Sequence, residues 1–269
     1  MEHVILQHHG AAVAPSRRML LLHGLANSSA VWTPLLDRRP DWLECVTADL
    51  PWRADGPPEW SHDPDPVGWV AQALGAVPGG AGLVLAHSFS ANLLLQLLST
   101  ELERGRDPFR HYGIDGLVLV APFYRRAPGH FDTSLLDDPR AGFRGIMAEG
   151  VRLRSRRPLD PVRESELAER VCERVGPYGW IRFYETYLRT PWLRVGAIPV
   201  PVLVATGARD GACHESAALA ADLPLGFLDI APDSGHFPMS TQPDRFVRVL
   251  TRFCVQLTTS TATPTPAGV

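Results

Sequence analysis

The sequence alternates short, continuously apolar runs with segments of helix length, and this alternation constrains the fold more than any other feature. Continuous apolarity over roughly four to eight residues is typical of a strand that is covered on both faces. Helical patterns lie between the runs, for example at 91–102 and 215–223. The sequence therefore predicts a mostly parallel sheet with helices on both faces. The predicted strands are 18–22, 43–48, 82–86, 117–120, 200–206 and 226–230, with 4–9 as a candidate antiparallel edge strand.

One long interval interrupts this alternation. Between residues 123 and 196 no run has the character of a buried strand, and helical patterns occur at 132–149, 161–174 and 179–189. A helical insertion between two core strands predicts a cap over the carboxyl edge of the sheet. The predicted organisation is a core of 1–122 and 197–257, a cap of 123–196, and a polar, Pro/Thr-rich tail of 258–269 that we expect to be disordered.

A serine lies between the predicted strand 82–86 and the helix that follows it, in the segment Ala86-His87-Ser88-Phe89-Ser90. A nucleophile elbow holds its serine in a strained strand-to-helix turn and needs small residues two positions before and after it. Ala86 and Ser90 meet that requirement. A serine that simply caps the helix would also fit this pattern, so the segment alone leaves both interpretations open.

Three other polar motifs also follow predicted strands. His23-Gly24-Leu25 follows the strand 18–22, Asp210 lies just after 200–206, and His236 lies after 226–230. Because the carboxyl ends of parallel strands collect the site of such a sheet, we expect these residues to lie together. The chain order serine, aspartate, histidine is the one found in α/β-hydrolases.

These motifs, with the Asp49-Leu50-Pro51 turn, resemble the α/β-hydrolase fold with a helical cap inserted after the sixth strand. The resemblance covers residues 15–255, nearly the whole chain. It departs from the family's commoner pattern at Ala86 and Ser90, where glycine is usual.

The resemblance implies a role for each matching residue. Ser88 would be the nucleophile, His236 would take its proton and return it to the leaving group, and Asp210 would hold the imidazole in place. The backbone N–H groups of Leu25 and Phe89 would form the oxyanion hole.

Aromatic residues are concentrated around the expected pocket, and those of the cap could form an apolar wall for an acyl or aromatic substrate. Core packing would account for most of them. The predicted substrate-binding residues are His23, Gly24, Phe123, Trp180 and Tyr184.

All 26 basic residues are arginines, and the absence of lysine excludes a Schiff-base lysine, a P-loop lysine and a Ser–Lys dyad. Six arginines fall within the predicted cap segment 140–157. They could form a solvated helix face, or they could bind an anionic partner such as a carrier protein, a carboxylate or a phosphate. The six are Arg140, Arg144, Arg152, Arg154, Arg156 and Arg157.

The predicted function is cleavage of an ester, thioester or lactone of a small acyl substrate through an acyl-enzyme intermediate. C–C bond hydrolysis, a cofactor-free lyase or cyclase reaction, and a non-catalytic binding protein remain alternatives.

We expect no cofactor and no metal, since the four cysteines are far apart and no ligand cluster is evident. The net charge of −3 argues against a nucleic-acid partner. No signal peptide or membrane span is apparent, so a cytoplasmic location is expected.

Overall fold

The computed structural model describes residues 4–14, 17–133, 137–138, 140–155 and 157–260. Within them, seven strands form one sheet in the spatial order β1-β3-β2-β4-β5-β6-β7. β1 pairs antiparallel with β3, and every other pair is parallel, as predicted. The strands are β1 (Ile5–His9), β2 (Arg17–Leu22), β3 (Leu43–Asp49), β4 (Gly82–His87), β5 (Ile114–Val120), β6 (Val202–Gly207) and β7 (Gly226–Ala231).

Helices cover both faces of this sheet. Along β2, Leu20 and Leu22 face one apolar cluster, whereas Met19 and Leu21 face the other. Because successive side chains of a strand point to opposite faces, burial on both sides requires the unbroken apolar runs. The helices are α1 (Thr33–Leu36), α2 (Val67–Gly75), α3 (Phe89–Glu103), α4 (Pro108–Tyr112), α5 (Arg144–Arg154), α6 (Pro161–Leu188), α7 (Cys213–Asp222), α8 (Pro238–Thr241) and α9 (Pro243–Ser260).

The helical insertion lies between β5 and β6 and contains α5 and α6. The insertion follows the fifth described strand and not the sixth, since five strands, β1 to β5, precede it in the chain. The two helices predicted at 161–174 and 179–189 form the single element α6, bent at Gly176 (φ +71°, ψ 169°) before Pro177. A proline ring disfavours helical geometry at the residue before it, which explains the bend.

Two predicted boundaries differ from the structure. A helix was predicted over 132–149, but the described helix is α5, which begins at Arg144 and ends at Arg154; residues 134–136 and 139 lie outside the described residues. The core was predicted to end at residue 257, whereas α9 continues to Ser260. The rest of the predicted tail, 261–269, lies outside the described residues. In the described chain, no helix combines the length and apolarity needed to cross a bilayer.

Candidate active site

Ser88 lies between the end of β4 and the start of α3, with φ +55° and ψ −121°. A non-glycine residue in this region is strained and persists only where its surroundings hold it. The Ser88 N–H donates to the Val120 carbonyl of β5 at 2.8 Å, and the Ser90 hydroxyl donates to the His23 carbonyl at the end of β2. The Ser88 side chain makes no capping hydrogen bond to α3, so the interpretation of this serine as a plain helix cap is wrong.

The hydroxyl of Ser88 is directed instead to His236, in the loop after β7. His236 Nε2 lies 2.9 Å from Ser88 Oγ, and His236 Nδ1 lies 3.0 Å from Asp210 Oδ1. Asp210 follows β6 and is fixed by two more donors, the Thr206 hydroxyl at 2.9 Å and the Ala212 N–H at 3.1 Å. The structure thus joins the three predicted side chains in one hydrogen-bonded row, although they come from three different strand ends.

The row is shielded from solvent, which strengthens its electrostatic interactions. Ser88, Asp210 and His236 are all buried. Burial alone would raise the pKa of Asp210, but its interaction with His236 and its three hydrogen bonds outweigh that effect, so its pKa lies below the ordinary value. A carboxylate with these partners stays ionised and fixes the imidazole with Nε2 free to accept the serine proton.

The two backbone N–H groups predicted to form an oxyanion hole belong to Leu25, in the loop beside the elbow, and to Phe89, which follows Ser88. A Cβ built on Gly24 would lie 3.1 Å from the Ser88 Cβ, so the His23-Gly24-Leu25 loop runs directly beside the elbow. The N–H groups of Leu25 and Phe89 donate to no acceptor in the described residues. Phe89 is also the first residue of α3, where the helix dipole favours negative charge.

The amino-acid sequence matches a known protein family over most of the chain. The model of the Alpha/beta hydrolase family matches residues 19–249. The chain belongs to this family. No curated protein matches it in sequence.

Solved structures of several other proteins are similar in fold. The "putative aryl esterase" of Burkholderia cenocepacia is 19% identical with a TM-score of 0.63, and the alignment covers 95% of this chain and 96% of that one. A bromoperoxidase from Bacillus anthracis is 14% identical with a TM-score of 0.66, covering 93% and 95%. A thermophilic esterase from Thermogutta terrifontis is 17% identical with a TM-score of 0.60, covering 94% and 93%. At these identities the likeness establishes the α/β-hydrolase fold, within which several chemistries occur.

The cap closes over Ser88 and leaves a cavity of only about 20 Å³ beside it. A volume of this size holds little more than one water molecule. The space beside the hydroxyl in this structure is therefore smaller than an acyl substrate. The cap residues that close the cavity are Phe143, Ile146, Met147, Gly150 and Arg154 from α5 and its start, and Phe183 from α6.

The predicted substrate-binding residues lie mostly behind this cavity. His23 is fully buried, its Nδ1 lies 2.8 Å from the Gly24 carbonyl, and its Nε2 accepts from the Leu50 N–H at 3.0 Å, so its prediction as a substrate contact is wrong. Gly24 permits the close approach of the loop to His87 and Ser88 rather than lining the cavity.

The three predicted aromatic contacts form a cluster that supports the cavity wall. Phe123 packs on the His236 ring at 5.7 Å, and Trp180 and Tyr184 pack on Phe143 at 4.9 and 6.4 Å. Phe143 in turn lines the cavity. The predicted substrate-binding residues do not include Phe143, Met147 or Gly150, and Arg154 was predicted only as one of the six cap arginines. The spacing of these four residues, which is four, three and four, is that of one helix face.

The cap arginines do not form one continuous surface. Arg140 and Arg144 both pair with Glu169, at 2.6 and 3.0 Å, and Arg152 pairs with Glu164. Arg156 lies outside the described residues, and Arg157 is exposed. Arg154 differs, because it lines the Ser88 cavity. No cluster of three or more potential metal ligands occurs in the part of the chain that the structure describes.

Proposed function

We propose that this α/β-hydrolase cleaves an ester, thioester or lactone through an acyl-enzyme intermediate on Ser88. The observation that carries the proposal is the continuous row from Ser88 Oγ through the His236 ring to Asp210, with separations of 2.9 and 3.0 Å. Such a row is the arrangement that activates a serine hydroxyl, whose ordinary acidity is too weak for attack at neutral pH.

Acylation follows from the positions of these atoms. Ser88 Oγ attacks the substrate carbonyl carbon while its proton passes to His236 Nε2, and the carbonyl π electrons move to the oxygen. The N–H groups of Leu25 and Phe89 stabilise that oxyanion, each by about 3 kcal/mol. When the oxyanion collapses, the bond to the leaving group breaks, and His236 gives its proton to the departing oxygen or sulfur. Asp210 stabilises the imidazolium throughout.

Deacylation uses the same groups in the opposite direction. A water molecule gives a proton to His236 Nε2 and attacks the acyl carbon, and the tetrahedral intermediate collapses to release the acid and restore the Ser88 hydroxyl. No step needs an amine, which agrees with the absence of lysine.

The proposal is tested with a fluorophosphonate probe and a p-nitrophenyl ester series. The probe should label Ser88, and Ser88→Ala should abolish both labelling and turnover. Ser165→Ala, which removes an exposed hydroxyl on α6, should retain both. Labelling without turnover of any ester would favour the lyase or C–C bond alternative, and absence of labelling would favour a binding protein. Ester turnover by Ser88→Ala would refute the acyl-enzyme mechanism.

A further inference from the structure

We propose that the substrate carries an anionic group, a carboxylate or phosphate, that binds Arg154, Arg170 and Arg174 while its acyl carbonyl lies at Ser88. This inference deepens the proposed function and rests on it. It concerns the class of substrate, which neither the family membership nor the Ser–His–Asp row defines.

The first observation is the position of Arg154, at the last residue of α5. Its Nη1 donates to the Ala26 carbonyl at 3.2 Å, and its side chain lines the Ser88 cavity. Ala26 directly follows Leu25, whose N–H is the proposed oxyanion donor, and has φ +53°. A guanidinium therefore stands beside the oxyanion loop, and only the hydrogen bond to the Ala26 carbonyl holds it in the described structure.

The second observation is that Arg154 has no acidic partner among the described residues, whereas several other cap arginines are paired. Arg140, Arg144 and Arg152 are paired with glutamates, and Arg163 pairs with Glu166 at 3.1 Å. The pairing of these surface arginines indicates that acids are available on the cap. Arg154 faces the substrate side without one.

The third observation is a surface groove of about 390 Å³ that Arg154 shares with Arg170 and Arg174 of α6. None of its lining residues is acidic, and neither Arg170 nor Arg174 makes an ion pair with a described residue. The rest of the lining is mainly apolar, including Val151, Leu159, Leu167 and Val171. The groove thus offers three guanidinium groups beside an apolar wall.

The groove and the Ser88 cavity are neighbours. A small cavity of about 30 Å³ lies between them, sharing Leu25 and Ala26 with the Ser88 cavity and Val171 and Arg174 with the groove. Arg154 lines both outer spaces. Since residues of α5 form part of the wall of both outer spaces, a displacement of α5 would join these two spaces into one channel that leads from the arginines to the hydroxyl.

The chemistry of the three side chains selects the group that would bind there. A guanidinium is permanently charged and presents a planar fork of donors that matches a carboxylate or phosphate in a bidentate geometry. The shared property is a terminal anion, and its two sources are the acyl chain, as a dicarboxylate half-ester, and the leaving group, as a phosphorylated thiol.

Two matched substrate pairs separate these sources. In the acyl pair, p-nitrophenyl glutarate carries a terminal carboxylate that p-nitrophenyl valerate lacks. In the leaving-group pair, butyryl-4′-phosphopantetheine carries a phosphate that butyryl-pantetheine lacks. We expect kcat/KM for the anionic member of one pair to exceed that of its neutral partner by about 10- to 100-fold at low salt, mainly through KM. The ratio should fall as ionic strength rises.

Arginine variants test whether the preference for the anionic substrate depends on the groove. Arg154→Gln should reduce the anionic-to-neutral ratio about tenfold or more, and Arg170→Gln/Arg174→Gln should reduce it further. Arg163→Gln, which removes one positive charge from α6 outside the groove, should preserve it. A ratio near one in both pairs, or a ratio that Arg154→Gln leaves unchanged, would overturn the proposal.

A binding measurement separates this inference from the acyl-enzyme mechanism. Glutarate and 4′-phosphopantetheine are titrated calorimetrically into Ser88→Ala and Ser88→Ala/Arg154→Gln. Binding of either compound to the first protein and its loss in the second would support anion recognition even if no ester were hydrolysed. Binding to neither, or equal binding to both proteins, would overturn it even if Ser88 were acylated normally.

Discussion

Glu149 of the cap accepts a hydrogen bond of 2.9 Å from the backbone N–H of His236. A cap helix is thereby attached directly to the histidine that contacts Ser88. Gly235 allows the contact, because a Cβ at that position would collide with the Glu149 carboxylate. The position of α5 and the position of the imidazole are therefore linked.

This link predicts that Glu149 positions His236. Glu149→Ala should lower kcat of the esterase reaction by about tenfold, because loss of a charge-assisted hydrogen bond worth roughly 1.4 kcal/mol frees the His236 loop. Glu149→Gln keeps an acceptor oxygen and should stay close to the wild type. Steady-state kinetics of the three proteins on one p-nitrophenyl ester provides the measurement, and equal losses in Ala and Gln variants would contradict the positioning role.

The same contact is tested from the other side by Gly235→Ala. The added methyl group would displace the Glu149 carboxylate and break its hydrogen bond to the His236 N–H, so we expect about 1.4 kcal/mol of destabilisation in the wild-type background. In Glu149→Ala the methyl group has room, and most of that loss should disappear. Urea unfolding of the two single variants and the double variant gives the coupling free energy. A coupling free energy near zero would show that the two residues do not interact.

Two buried histidines predict a loss of stability in mild acid. Burial lowers the pKa of His23 to about 4, and burial together with the neighbouring His236 holds the pKa of His87 well below its usual range. In the unfolded chain both would titrate near 6.5. The unfolded state therefore binds more protons below that pH, and the free energy of unfolding should fall as the pH drops from about 6.5 toward 4.

The slope of the free energy of unfolding against pH should approach the value for two protons, roughly 2.7 kcal/mol per pH unit, near its maximum. Urea unfolding at pH 7, 6 and 5 measures it. His23→Gln should show a shallower slope, and His62→Gln, which removes an exposed histidine outside the core, serves as the control and should leave the wild-type slope unchanged. A free energy of unfolding that is flat between pH 7 and pH 5 would contradict the burial of both rings.

The small volume beside Ser88 predicts that the cap limits substrate size. Met147 is buried and closes the cavity, so Met147→Ala should raise kcat/KM for longer acyl chains relative to acetate. Truncation of a buried methionine also destabilises the fold, by about 2–5 kcal/mol. Leu153→Ala on the same helix removes an exposed side chain and serves as the control. An unchanged chain-length profile in Met147→Ala would show that this wall does not contact the acyl chain.

The sheet was predictable because a strand that is buried on both faces needs a run of consecutive apolar residues, which is visible in the sequence. The central strands β2, β4 and β5 contain continuous apolar runs. The residues that meet at the carboxyl ends are close to their strands in sequence, as Ser88 is to β4 and Asp210 is to β6. The fold follows from these local patterns together with the rule that parallel strand ends share one edge.

The cap was predicted less well because its contacts depend on how α5 docks. A helix placed at 132–149 excludes Arg154 from the face that contains Met147, whereas the observed helix ends at Arg154. The His23 prediction failed for a related reason. Both ring nitrogens of His23 are hydrogen-bonded to backbone groups, Nδ1 to the Gly24 carbonyl and Nε2 to the Leu50 N–H. The contact with Leu50 is a tertiary contact that the local His-Gly motif does not reveal.

Whether Ser88 carries the acyl group is decided by intact-mass spectrometry of the enzyme quenched during turnover of a p-nitrophenyl ester. We expect a fraction of the protein to be heavier by one acyl group, with the modification on the peptide that contains Ser88 and absent in Ser88→Ala. Steady turnover by the wild type with no such adduct under rapid acid quench, together with undiminished turnover by Ser88→Ala, would contradict it.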